Sequence, residues 1–316
     1  MRRVALIYNP ASGQHSGGRA SQVRNVIAAL RKAGIEAEAL ETHAPGSGKS
    51  LALAASRQGY DAVLACGGDG TVHEALQALV GTKVALGVIP LGTANALAQN
   101  LGLGRDPVKA VRVLLNAEPI EIPVGRIFFQ EANGAQGWRY FTVAAGIGAD
   151  ALLMSSMDPV MKRRLGYALY MIEAFKIWVS HPFPLFDAAF SISGNSEPRV
   201  EQVSQLLAIR IRSFGGALGV FAPGATLHKK DLSLVAFKTR SRFHYFRFLL
   251  ATIAGHQTFS RAIELLDADF VECRPANGSK SKVFVEADGE VLGTLPARIE
   301  VARETLMLLI PPGARP

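Results

Sequence analysis

The sequence predicts an α/β protein in two parts, a parallel-sheet domain followed by an antiparallel β domain, and three observations carry that expectation. From Arg3 to about Leu101, short apolar runs alternate with stretches of helical periodicity, the signature of βαβ units. Past Pro119 the texture changes to aromatic and β-branched segments separated by Gly, Pro and Asn, which reads as antiparallel strands. Turns of small residues also follow three of the first four apolar runs.

Residues 4–8 form the first expected strand. Residues 18–33 follow as a helix with Val23, Val26, Ile27 and Leu30 on one face. A strand is expected over 35–42 and a helix over 50–58. The run 61–66, apolar from Ala62 onward, is a third, buried strand, leading to a helix from about Thr71 to Val80. A fourth strand covers 84–89, and its helix ends near Leu101. In the second part, strands are expected at 125–129, 139–144, 185–192, 203–212, 232–239, 268–274, 282–286 and 298–301. Two helical insertions interrupt them, 167–179 and about 242–266. The closing run 306–310 is apolar enough to be a strand returning to either domain.

Composition narrows the function class. The 316 residues are 49% hydrophobic and 19% charged, which excludes disorder and low-complexity fibres. Formal charge is +8, from 34 basic and 26 acidic residues, and favours polyanionic partners: nucleic acid, nucleotide phosphate or an anionic membrane surface. No nucleic-acid reader motif accompanies the charge, so nucleic acid is not expected. Cys66 and Cys273 are too few for a disulfide framework, and a reducing cytosol is the expected compartment. The basic, apolar start breaks at Asn9-Pro10, and no run of about 18 apolar residues is long enough to span a bilayer. Any membrane contact is therefore expected at the surface.

The strongest local signal is Gly67-Gly68-Asp69-Gly70-Thr71, between a buried strand and a helix. Glycines let backbone amides approach phosphate oxygens, the helix start adds its positive end, and Asp69 can reach a metal or a water. A tight strand-to-helix turn would use the same glycines, but it does not require the acid. Pro90-Leu91-Gly92-Thr93-Ala94-Asn95 follows the next strand and Asn9-Pro10-Ala11-Ser12-Gly13 the first. Three strand ends then meet at one sheet edge, where α/β proteins bind ligands, and a polyphosphate suits them. Gly46-Ser47-Gly48-Lys49-Ser50 imitates a P-loop, but His43 stands where that pattern needs glycine, and Pro45 has no amide donor.

Asp288-Gly289-Glu290 is the other acidic candidate, readable either as two carboxylates dividing acid–base and metal work or as a hairpin using good turn residues. The segment 238–247 holds four cations and no acid among aromatic residues, and Lys162-Arg163-Arg164 precedes a second aromatic stretch. Both read as lipid-surface segments or as amphipathic helices with a solvated face. His15, His43, His73 and His228 show no metal-ligand spacing and are expected at the surface or in loops.

Taken together and in order, these motifs resemble the diacylglycerol kinase catalytic-domain family, in its bacterial soluble lipid-kinase branch. The likeness also takes in Thr42, the Ala145–Ala151 run Ala-Gly-Ile-Gly-Ala-Asp-Ala, and Lys162-Arg163-Arg164-Leu165-Gly166-Tyr167. It implies an ATP-dependent kinase with a nucleotide-binding α/β domain over 1–122, a β-sandwich domain over 123–304, a last strand near 305–316 rejoining the first, and an active site in the cleft between them. Asn9, Pro10, Ser12, Gly13, Thr42, Gly67, Gly68, Asp69, Gly70, Thr71, Gly92, Thr93 and Asn95 are the implied ATP contacts. Glu290 is the implied proton acceptor, with Asp288 and Asp69 arranging Mg²⁺, and Asp150 lies where related kinases meet the acceptor headgroup. A lipid substrate, a transient anionic membrane surface and peripheral attachment to the inner face follow; a homodimer stays open.

Two departures stand out. Where the family reads Gly-Thr-x-Asn-Asp-x-Ala-Arg, this chain has Ala96 and Gln99, so one carboxylate of the metal and water network is missing. A structural magnesium near an Asp-Asp-Gly turn is matched only by His228-Lys229-Lys230-Asp231-Leu232. That leaves Asp231 as its ligand, or the metal absent, or a lysine supplying the charge. Two other readings remain. A nicotinamide-dinucleotide kinase shares the Gly-Gly-Asp-Gly turn but needs an Asn-Glu pair not evident here. A non-catalytic nucleotide- or lipid-binding protein would keep the fold without the chemistry.

Overall fold

The computed structural model describes residues 1–10, 18–157, 167–214, 220–255, 259–279 and 281–314. It divides into two compact units, Met1–Pro123 with Arg303–Pro316, and Val124–Ala302. The first unit is built on β1 (Arg3–Tyr8), β2 (Glu36–Glu41), β3 (Ala62–Gly67) and β4 (Ala85–Pro90). β1 pairs in parallel with β2 (Val4 opposite Ala37) and with β3 (Val4 opposite Ala62). β4 pairs with β3 and, at Leu86, with Leu308 of the chain's last strand. The chain therefore steps from β1 outward to β2, then back across β1 to β3. Such a reversal of strand order is where open α/β sheets bind ligands, beyond the carboxyl ends of the strands.

Both faces of this sheet are covered, which explains the unbroken apolar runs: Val4 to Ile7 and Ala62 to Cys66 are fully buried. Helix α1 (Arg19–Lys32) buries Val23, Val26 and Leu30, one stripe at helical spacing. α2 (Ser47–Arg57) packs on α3 (Asp69–Leu79), and α4 (Ala96–Asn100) follows β4. α5 (Pro107–Leu114) packs on α1 and had no counterpart in the sequence reading. Its start signal was nonetheless present: Asp106 Oδ1 accepts the Val108 and Lys109 N–H at 2.9 and 3.0 Å, and Pro107 takes the first helical position.

The second unit takes up β5 (Glu118–Gln130) from Val124 onward, then β6 (Gln136–Phe141), β7 (Ala144–Gly148), α6 (Ala149–Ser155), α7 (Tyr167–Ser180), β8 (Phe186–Ser191), β9 (Arg199–Val203), β10 (Gln205–Ile209), β11 (Leu232–Phe237), α8 (Arg242–Ile253), β12 (Ile263–Ala268), β13 (Phe270–Pro275), β14 (Phe284–Ala287) and β15 (Glu290–Ile310). Strands run antiparallel in the order β12-β11-β10-β7-β14-β15. The long β15 also pairs with β13 and β5, which carry β8, β9 and β6. Inward residues such as Phe141, Ile147, Phe186, Phe190, Leu206, Leu234, Val285 and Ile299 form one sandwich-like core.

Two segments differ from expectation. The run 139–144 is not one strand but the end of β6, a break at Thr142-Val143, and the start of β7. The helix expected to reach about 266 ends at Ile253, because Gly255 adopts φ +72° just past it, a glycine stop. Residues 263–268 then return as β12 beside β11. Among the described residues no helix is long and apolar enough to cross a membrane.

Candidate functional site

In the first unit, the expected nucleotide contacts collect at the carboxyl edge of the parallel sheet. Thr42 continues the β2 ladder, its N–H donating to Tyr8 O at 2.9 Å, and Asn9 and Pro10 follow β1. Ser12 and Gly13 lie outside the described residues. Gly67 ends β3 and Gly68 to Thr71 follow it, while Gly92, Thr93 and Asn95 follow β4.

The β3 and β4 turns touch backbone to backbone. A Cβ on Gly92 would stand 2.4 Å from Gly68 Cα, and one on Gly68 would stand 3.2 Å from Gly92 Cα. No other residue fits at Gly92 without parting the turns. Asn95 fixes the second turn: it adopts φ +52°, its Oδ1 accepts the Gly92 N–H at 2.8 Å, and its Nδ2 donates to Gly92 O at 2.9 Å. Asp69 joins the two. Its Oδ2 accepts the Asn95 N–H at 3.0 Å and its Oδ1 the Ala96 N–H at 2.7 Å. Ala96, one of the departures from the family pattern, meets Asp69 through its backbone N–H and brings no carboxylate to the turn.

The P-loop imitation is closed from within. At the start of α2 the Gly46 and Gly48 N–H groups donate to Glu74 Oε1 and Oε2 at 2.8 and 2.7 Å. The anion site of this helix start is occupied by the protein's own carboxylate, which sequence spacing alone did not show. His73, expected at the surface, is buried on α3 beside Gln77; His43 and His228 are exposed, and His15 lies outside the described residues.

In the second unit, Asp288-Gly289 is a two-residue hairpin turn. Both residues are left-handed, at φ +49° and +83°, and Ala287 pairs with Glu290 across it. The Asp288 carboxylate is buried and holds the break between β6 and β7: it accepts the Thr142, Val143 and Ala144 N–H groups at 3.0, 2.8 and 3.1 Å. The hairpin reading of this turn is thus observed, with Asp288 organising the break between β6 and β7; Glu290 is exposed at the start of β15.

A third acid, unnoticed in the sequence, lies behind the turn. Glu286 is 3% exposed, and its Oε2 accepts the Gly289 N–H at 2.8 Å. Its other oxygen meets Asp150 over Gly146, where a Cβ would fall 2.8 Å from Glu286 Oε1 and 2.5 Å from Asp150 Oδ2. Burial pushes both carboxyls above their ordinary range, and for Glu286 the Asp150 charge adds to it while the Gly289 N–H opposes it. Two carboxyls that hydrogen-bond to one another hold a proton between them. Asp150, expected at the acceptor headgroup, is thus half of a buried acid pair.

Asp231, expected as a metal ligand, is paired with a cation of the chain: Lys229 Nζ stands 3.4 Å from its Oδ1. Lys162, Arg163 and Arg164 lie outside the described residues. The other basic aromatic segment forms α8, which is tied to α7 by Trp178 Nε1 donating to Arg242 O at 3.0 Å and Arg242 Nε donating to Trp178 O at 2.8 Å.

Residues 3–127 match the diacylglycerol kinase catalytic domain, and residues 141–310 match the YegS C-terminal NAD kinase beta sandwich-like domain. A diacylglycerol kinase of Mycobacterium tuberculosis is 28% identical over 312 residues, 98% of this chain and 95% of its own. In fold the chain resembles the crystal structure of a diacylglycerol kinase from Bacillus anthracis, with a TM-score of 0.69 at 17% identity, over 99% of this chain and 98% of that one. A more distant likeness is to yeast NADH kinase, with a TM-score of 0.51 at 10% identity, over 98% and 83% of the two chains. With its glycine-built sheet edge, its Asp-Gly-Glu hairpin and both family domains in sequence, the chain belongs to the diacylglycerol kinase family of lipid kinases.

Proposed function

We propose that this protein transfers the γ-phosphoryl group of MgATP to the hydroxyl of a membrane lipid, diacylglycerol or a similar amphiphile. The observation that carries this reading is the contact of the Gly68 and Gly92 backbones, braced by Asp69 and Asn95, at the ligand-binding edge of a parallel sheet. Such an edge offers amides and a helix start rather than side chains, which suits a triphosphate. Phosphoryl transfer relies on positioning and charge neutralisation, so little else is required of the protein.

Magnesium is assigned to the substrate, arriving with ATP and neutralising the charge that develops on the phosphoryl oxygens. Among the described residues no group of three or more His, Cys, Asp or Glu could hold an ion alone. Asp69 is the acid of the glycine turns, each of its oxygens accepting a backbone N–H, and is assigned to arrange the ion. Glu290, exposed beside a rigid turn, takes the role of proton acceptor from the lipid hydroxyl. Asp150 is assigned to the acceptor side, its carboxyl raised by burial and sharing a proton with Glu286.

The lipid is met through α7 and α8. Met171, Phe175 and Val179 on one and Phe243, Phe246, Leu250 and Ile253 on the other are exposed, Phe175 and Phe243 by 62% and 65%. Phe175, Trp178 and Phe246 meet in succession as tilted ring pairs with centroids 5.8 and 5.7 Å apart. Lys176 and Arg247 are exposed on the same helices. An apolar surface with cations suits the boundary of an anionic bilayer.

Incubation with labelled ATP and a total lipid extract, or with nicotinamide dinucleotide, tests the proposal. Label in a lipid whose mass has risen by one phosphate is expected. Label in the dinucleotide alone, or ATP binding with no transfer to any lipid, overturns it.

A further inference from the structure

The turn 227–231 gathers oxygen atoms of the kind that ligate a hard cation, and the chain fills it with its own cations. Arg210, directly after β10, is 1% exposed, and its Nη2 donates to Leu227 O at 3.3 Å and Lys229 O at 2.9 Å. The same guanidinium is within electrostatic reach of the Asp231 and Asp288 carboxylates. Lys229 lies across the other side of the turn. Its Nζ donates to Ser233 Oγ at 2.9 Å, stands 3.4 Å from Asp231 Oδ1, and pairs with Asp267, to which Ser233 Oγ also donates at 3.1 Å. Two backbone carbonyls and three carboxylates therefore converge on one guanidinium and one ammonium.

Divalent magnesium demands near-octahedral oxygen ligation at about 2.0–2.1 Å. It cannot reach Leu227 O and Lys229 O while a guanidinium is hydrogen-bonded to them, nor Asp231 while Lys229 is seated on it. The residues do not fit the structural magnesium that the family resemblance implied. Burial lowers Arg210 to about 10, opposed by the two carboxylates, so the guanidinium stays charged at neutral pH.

We propose that Arg210 and Lys229 together replace a divalent cation in the 227–231 turn, so that the second unit holds this turn, and the Asp288 hairpin beside it, without bound metal. The inference is independent of the reaction catalysed. A divalent ion would make the turn's order depend on metal supply, whereas covalently attached cations are always present. The guanidinium stays charged while buried and bonds both carbonyls through one nitrogen.

The test uses the full chain without nucleotide. Metal content is measured after dialysis, and thermal unfolding is followed with EDTA and with millimolar Mg²⁺. The wild-type protein is expected to carry no stoichiometric divalent ion and to give superimposable melts. Lys229→Asp, which exchanges the ammonium for a third carboxylate beside Asp231 and Asp267, is expected to melt lower than wild type in EDTA and to recover with Mg²⁺. Arg210→Met, which strands the carbonyls and carboxylates, is expected to lower Tm by roughly 10 °C. Co-purification of a stoichiometric divalent ion whose removal lowers the wild-type Tm overturns the proposal. So does a Lys229→Asp protein whose melt equals that of wild type and ignores Mg²⁺. The wild-type and Lys229→Asp measurements decide even if Arg210→Met does not fold.

Discussion

Replacing Glu286 by Gln should change how stability depends on pH, in a direction the geometry fixes. Burial raises both Glu286 and Asp150, and Asp150 raises Glu286 further while the hydrogen bond from Glu286 lowers Asp150, so the folded protein keeps a proton, chiefly on Glu286, that the unfolded chain releases once pH exceeds the ordinary carboxylate value near 4.5. Below that value both states hold the proton and the pair contributes nothing to the slope. Above it, each pH unit costs the wild-type fold about 1.4 kcal/mol until the pair itself titrates. Glutamine keeps an oxygen for the Gly289 N–H now received at 2.8 Å and offers Asp150 an NH₂ donor, which lets Asp150 ionise. Urea unfolding of both proteins from pH 5 upward should show the variant gaining on wild type by about 1.4 kcal/mol per unit. Carboxylates held low by partners, such as Glu264 and Glu300, lose their contribution as pH falls, equally in both proteins, and cancel. Parallel curves across the whole range would refute the shared proton.

Gly92→Ala inserts a Cβ 2.4 Å from Gly68 Cα; ATP affinity, read by nucleotide-dependent thermal shift, should fall about tenfold or more, a loss of about 1.4 kcal/mol, and an unchanged affinity would remove the cradle from the nucleotide site. Asp288→Asn leaves one acceptor oxygen for three backbone N–H groups and should cost about 2–4 kcal/mol in urea unfolding, whereas a purely catalytic Asp288 would leave stability untouched. Phe175→Ser with Phe243→Ser should weaken binding to vesicles containing anionic lipid, and wild-type binding should fall with added salt; salt-insensitive binding would leave α7 and α8 as structure alone.

Much of the fold was legible because parallel strands buried on both faces read as unbroken apolar runs, as in β1 and β3. The strands of the second unit were legible by texture, but their ends were not. The break at Thr142-Val143 exists because Asp288 binds its amides from about 145 residues away in sequence, which no local pattern records. The glycine turns at the parallel-sheet edge stood out by composition; that Asp69 braces one turn against the next did not. Glu286 escaped notice for a period-two reason. Val283, Val285 and Ala287 fill the core, and the alternate face of a strand is ordinarily wet. Here α6 covers that face and brings Asp150 with it. Arg210 escaped similarly, as a cation in an apolar strand context whose partners come from a turn 17 to 19 residues onward.

The most direct measurement is the rate of phosphate transfer from ATP to lipid in mixed micelles, for wild type and for Glu290→Ala, with ATP affinity measured alongside. Wild type should label the lipid, and the variant should do so roughly 10²–10⁴-fold more slowly while binding ATP as tightly. Equal rates in the two proteins, or a variant impaired only in ATP binding, would contradict the assignment of Glu290 as the group that takes the proton from the acceptor hydroxyl.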